Sequence, residues 1–114
     1  MKQPVKMKDV FAFTFESDLS LVGIFVRLNT AGPWRWVQRD SERWGDYLST
    51  RALPDPDYAI VKLIMEPGHF VLNVKFESSR ADAQSYCDEL QQTILTRVLP
   101  SIAARNIRPA EFYE

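Results

Sequence analysis

Two apolar runs flank Glu66-Pro67-Gly68-His69 and set the strongest pattern in the chain, Tyr58–Glu77. Pro67 suits the first corner of a turn, and Gly68 accepts the positive φ that a Pro-Gly type II turn requires. A hairpin closed there sets Met65 opposite Phe70, Leu63 opposite Leu72, Val61 opposite Val74 and Ala59 opposite Phe76. Side chains alternate along a strand, so these eight share one face. Tyr58, Ile60, Lys62, Ile64, Val71, Asn73, Lys75 and Glu77 take the other, giving one apolar and one mixed face.

The same alternation marks Val10–Glu16 as a strand, with Phe11, Phe13 and Phe15 on one side. After Ser17-Asp18, a capping signal, Leu19–Leu28 places Leu21, Val22, Phe25 and Leu28 on one helical stripe with Ile24 beside it. Val22, Ile24 and Val26 also alternate, so a strand is the competing reading of this segment. Asn29-Thr30-Ala31-Gly32 reads as a stop.

Trp34–Asp40 and Trp44–Ala52 read as a second strand pair around the polar turn Asp40–Arg43. Trp34, Trp36 and Gln38 share a side of the first strand. Leu53-Pro54-Asp55-Pro56-Asp57 is a linker, because two prolines restrict their neighbours as well as themselves. Ser78-Ser79 then announces a helix over about 79 to 99. Ala83, Cys87, Leu90, Ile94 and Val98 form its stripe, widened by Tyr86, Leu95, Leu99 and Ile102. Pro100 kinks or restarts it, Asn106 is the expected stop, and the tail from Ile107 predicts a last edge strand in which Pro109 is tolerable.

These elements predict an α+β fold, a mainly antiparallel sheet with two helices on one face. The arrangement is a ferredoxin-like split βαβ unit with an extra strand pair. Residues 1–9 are expected to be a loose arm and residues 10–114 a single domain. At roughly 1.5–3 kcal/mol for each large apolar side chain, the helix-covered face holds such a fold together.

Composition narrows the chemistry. The chain has 114 residues, 46% of them hydrophobic and 25% charged, with a net charge of −1, so no overall basic field attracts nucleic acid or an anionic membrane. No apolar run approaches membrane-span length. Cys87 and His69 are each the single residue of their type, which rules out a Cys-His zinc framework and an internal disulfide. No metal or other cofactor is implied, and a reducing, cytoplasmic setting is expected. Cys87 falls on the helical stripe, where a thiol behaves as a small hydrophobe. Ser41 has no neighbouring base, and the four glycines are scattered singly rather than gathered in a phosphate loop.

The densest candidate site is Trp34, Arg35, Trp36, Arg39, Asp40, Arg43, Trp44 and Tyr47. Aromatic planes beside guanidinium forks bind a protein partner or a small anionic or aromatic ligand by stacking and bidentate hydrogen bonds. The second candidate is the mixed face, where Tyr58, Ile60, Lys62, Ile64, Val71 and Asn73 are too apolar to stay bare. A homodimer through a two-fold contact would cover them, unless the extra strands or the tail fold over instead.

The function expected on these grounds is a small non-catalytic interaction or ligand-binding domain, dimeric through its open sheet face. One alternative is a small enzyme in which Arg35 or Arg39 holds an anion while Asp40, Glu66 or His69 moves a proton. The other is a weak nucleic-acid binder.

Overall fold

The computed structural model describes residues 7–53 and 57–112, an α+β chain with one six-stranded antiparallel sheet and two main helices. The strands are β1 (Met7–Glu16), β2 (Val37–Ser41), β3 (Gly45–Leu53), β4 (Tyr58–Glu66), β5 (His69–Ser78) and β6 (Arg105–Ala110). Their order across the sheet is β2-β3-β4-β5-β1-β6, with every neighbouring pair antiparallel. Strand β5 therefore separates β1 from β4, which run in the same direction, and β1 likewise separates β5 from β6.

The central hairpin has the register read from its turn. Met65 pairs with Phe70, Leu63 with Leu72, Val61 with Val74 and Ala59 with Phe76, and Gly68 has φ +84°. Ala59, Val61, Leu63, Phe70, Leu72, Val74 and Phe76 join the main core beneath the helices. Met65 does not, because it stands beside the turn and is 53% exposed.

Helix α1 (Leu21–Ala31) settles the ambiguous segment as helical. Its cap is Ser20, whose hydroxyl accepts from Gly23 N–H at 3.1 Å, rather than Ser17-Asp18. Ser17 instead donates to the Ile102 carbonyl at 2.7 Å and ties the end of β1 to the far helix. Ile24 and Leu28 are the buried positions of α1, and Val22 turns outward at 65% exposure.

The long helix starts later than Ser78-Ser79 suggests. Helix α2 (Ala83–Thr93) runs into a π-helical turn (Ile94–Val98) and a last helical turn, Leu99–Ser101. Pro100 has no N–H and its ring crowds the carbonyl four residues back. The chain widens before it, so that Leu99 N–H donates to Ile94 O. The extra residue rotates the buried stripe by about one position. Ala83, Cys87, Leu90, Ile94 and Val98 are followed in the core by Leu99 and Ile102.

The helix ends at Ser101, short of Asn106. Asn106 has φ +53° inside β6, where Thr14 pairs with Arg108 but Glu16 with Arg105, so β6 carries one extra residue there. β6 is an edge strand, and Pro109 is accommodated on it. At the other end of the chain, Met7–Asp9 belongs to β1 rather than to a loose arm, and residues 1–6 lie outside the described residues. The linker prolines 54 and 56 also lie outside them. Among the described residues no helix is long and apolar enough to cross a membrane.

Candidate ligand site on the helix-free face

The turn joining β2 to β3 decides where Trp44 goes. Ser41 Oγ accepts Trp44 N–H at 2.9 Å, and Gly45, at φ +66°, returns the chain to extended geometry. Trp44 meets Tyr47 edge to face, centroids 5.4 Å apart at 87°. The Lys62 ammonium lies 4.9 Å from the Trp44 centroid and 5.7 Å from that of Tyr47, within cation–π range. Tyr47 pairs with Ile64 and Ile64 with Val71, so these rings stand on the side of the sheet that the helices leave open. With Ala12 they form a second, smaller apolar cluster, against which Trp44 and Ala110 pack.

Beyond β6 the chain brings Phe112 to the same face. Trp44, Phe112 and the floor residues Tyr58, Ile60, Lys62, Asn73 and Lys75 enclose a concavity of about 320 Å³. The floor follows from register. Lys62 pairs with Asn73 and Ile60 with Lys75, so all four side chains stand on one side of adjacent strands. Tyr58 is steadied by Arg51, whose guanidinium lies 5.7 Å from its ring centroid and also donates to Leu53 O and Asp57 O.

The Trp- and Arg-rich segment is divided by the sheet. Trp36, just ahead of β2, is 2% exposed and belongs to the core under the helices. Asn29 of α1 clasps its backbone, accepting Trp36 N–H at 2.7 Å and donating to Trp36 O at 3.2 Å. The buried Trp36 Nε1–H has no hydrogen-bond partner among the described residues. Trp34 sits 6.4 Å from the Trp36 ring and lines a shallow helix-side concavity with Tyr86, Leu90 and Arg97. Arg35, Arg39 and Asp40 are exposed on and beside the edge strand β2. Arg43 stays with Trp44, its guanidinium 5.8 Å from the ring centroid. Of the eight residues named from this segment, Arg43, Trp44 and Tyr47 come together, Arg39 stands opposite Tyr47 on the edge strand, and the other four do not join them.

The six residues of the expected dimer face do gather on one face. Tyr58, Ile60, Lys62 and Asn73 line the concavity, while Ile64 and Val71 lie in the apolar cluster with Tyr47. Ile64, Val71 and Asn73 are already buried within the single chain. Lys75 and Phe112 complete the site without having been among the candidates. Lys75 was on the right face by alternation, whereas Phe112 carried no local signal.

The groups of the enzymatic alternative are dispersed. Glu66 and His69 pair at the hairpin end, where Glu16, Asn106 and Arg108 gather around His69. Arg39 and Asp40 stand on β2, three strands from β5, about 14 Å away at ~4.8 Å per strand. Cys87 is 3% exposed and its Sγ lies 3.6 Å from Asp9 Oδ2. Burial first, then the Asp9 carboxylate, pushes this thiol up to about 11, so it is not an activated nucleophile. Among the described residues no three His, Cys, Asp or Glu side chains are gathered to hold a metal ion.

Comparison with protein-family models, with curated proteins and with solved structures finds no significant match to this chain.

Proposed function

We propose that this chain is a small non-catalytic ligand-binding domain whose ligand sits on the helix-free face of the sheet. The concavity between Trp44 and Phe112 carries this reading. Its volume of about 320 Å³ falls at the lower end of the range of small-molecule sites, and its lining combines apolar walls with a few placed polar groups. Those polar groups are two ammoniums, an amide and a phenol. Among the described residues no carboxylate, imidazole or thiol joins them, which suits binding better than general acid–base work. The test is a titration of ¹⁵N-labelled protein with a metabolite mixture. Shifts concentrated on the Trp44 indole, the Asn73 side-chain amide and the Lys75 amide support the site. Shifts confined to the Trp34 side, or none at all, overturn it.

Association of two copies through the same face is the second reading. It is favoured by Val10 and Val37, which stand on that face 48% and 46% exposed. Sedimentation equilibrium over a wide concentration range decides it, and a monomer throughout ends the idea.

We also read the fold as a ferredoxin-like split βαβ unit carrying β2 and β3 as its extra strand pair. The order β4-β5-β1-β6, with α1 between β1 and β2 and α2 between β5 and β6, supports this. An experimental structure pairing β1 directly with β4 would remove the basis for it.

A further inference from the structure

We infer that the ligand of this site is a flat aromatic anion, an aryl carboxylate or aryl phosphate, an inference that rests on the binding reading above. Charge is the first argument. Lys62 and Lys75 are diagonal neighbours on adjacent strands, because Lys62 pairs with Asn73 and Ile60 with Lys75. Diagonal positions of this kind lie about 7–8 Å apart, so two like charges share one small hollow. Among the described residues no acidic side chain lines it. Glu77, two residues beyond Lys75 on the same strand face, is engaged by Lys8 at 3.8 Å. Among the described residues neither Lys62 nor Lys75 has an acidic partner within ion-pair distance. An anion seated between them relieves their repulsion and gains two charge-assisted hydrogen bonds.

The aromatic lining is the second argument. Trp44, Tyr58 and Phe112 supply three rings around the hollow, and Ile60 supplies an apolar floor. Two of the rings are oriented before any ligand arrives. Trp44 is fixed by its edge-to-face contact with Tyr47, by the Ser41 hydroxyl at its backbone and by Lys62 over its ring. Tyr58 is fixed by Arg51. Pre-oriented rings cost little ordering entropy on binding and favour a flat partner by offset or edge-to-face contact. A bare anion would leave these rings unused, and a neutral aromatic would leave the two ammoniums unpaired.

Four probes test this by the shifts of the Trp44 indole and the Asn73 side-chain amide: 2-naphthoate, 2-naphthyl phosphate, neutral 2-naphthamide and inorganic phosphate. At least one aryl anion is expected to bind tenfold or more tightly than 2-naphthamide, with inorganic phosphate silent at Trp44. The tighter of the two aryl anions assigns carboxylate or phosphate. Lys75→Met should cut the anion's affinity several-fold while leaving that of 2-naphthamide unchanged. Lys62→Met should do the same, but Lys62 also packs on Trp44, so the exposed Lys75 carries the decisive variant. Equal affinity for 2-naphthamide and both anions overturns the anion requirement while the binding site stands. Inorganic phosphate binding as tightly as 2-naphthyl phosphate overturns the aromatic requirement. Silence of all four probes overturns the inference, and the metabolite titration then decides separately whether the site binds anything.

Discussion

Lys62 holds its ammonium 4.9 Å from the centroid of the Trp44 ring, joining the middle of β4 to the turn between β2 and β3. Lys62 is half-buried, so this contact is partly desolvated. Such contacts contribute from about 0.5 to about 2 kcal/mol. Lys62→Met keeps most of the stem packing and removes the charge. It should lower stability by about 1 kcal/mol in urea denaturation and alter Trp44 fluorescence. A variant with unchanged stability and emission would show that the contact does not persist in solution.

Ser78 and Asp57 form a buried pair that fastens the entry of β4 to the exit of β5. The Ser78 hydroxyl donates to Asp57 Oδ1 at 2.7 Å and accepts Arg80 N–H at 3.2 Å. Both residues are under 10% exposed. Ser78→Ala strips a hydrogen bond from a buried carboxylate and an acceptor from a backbone donor, at a cost of about 2–3 kcal/mol. Urea midpoints at unchanged m-value measure it, and a loss below about 0.5 kcal/mol would rule out this role for the pair.

Cys87 should resist modification while the chain is folded. Its folded pKa is raised from 9.0 to about 11, so the folded state holds the thiol proton that the unfolded state has released. The contribution of Cys87 to stability is therefore complete below about pH 9 and declines as pH rises toward 11. Other groups titrate there too, so the readout is the difference between wild type and Cys87→Ala. The variant should lose less stability between pH 9 and 11. Fast iodoacetamide labelling of native protein at pH 8 would contradict the burial.

Trp36 separates ring size from ring polarity. Its buried Nε1–H lacks a partner among the described residues, so Trp36→Phe trades a smaller ring for removal of an unsatisfied donor. The net change should be within about 1 kcal/mol, against about 3–5 kcal/mol for Trp36→Ala. Thermal unfolding of both variants tests this. A phenylalanine variant as damaged as the alanine one would mean that the indole N–H is satisfied in solution.

The Trp- and Arg-rich segment shows where sequence reasoning reached its limit. Alternation kept Gln38 and Arg39 on opposite sides of the first strand, and in the sheet Arg39 pairs with Tyr47 and Gln38 with Leu48. Trp44, however, lies in the turn rather than in a strand, and its direction is set by Ser41, Gly45 and the far-off Lys62. Trp36 is held under the helices by Asn29 of α1, the element it follows. Neither constraint has a periodic signature, so one apparent cluster became two groups on opposite sides of the sheet.

Local chemistry determined what local chemistry can. The Pro67-Gly68 turn set the register of β4 and β5, alternation set their faces, and the spacing from Ala83 to Val98 set the buried stripe of the long helix. These depend on residues close in sequence, whose geometry the backbone itself dictates. The tertiary structure alone decided that β1 inserts between β5 and β6, that the tail carries Phe112 over the helix-free face, and that Trp44 meets it across Lys62, Asn73 and Lys75. Those meetings join segments as far apart in the chain as Ala12 and Ala110. They arise because packing the elements together into layers buries more apolar surface than any single element can bury alone.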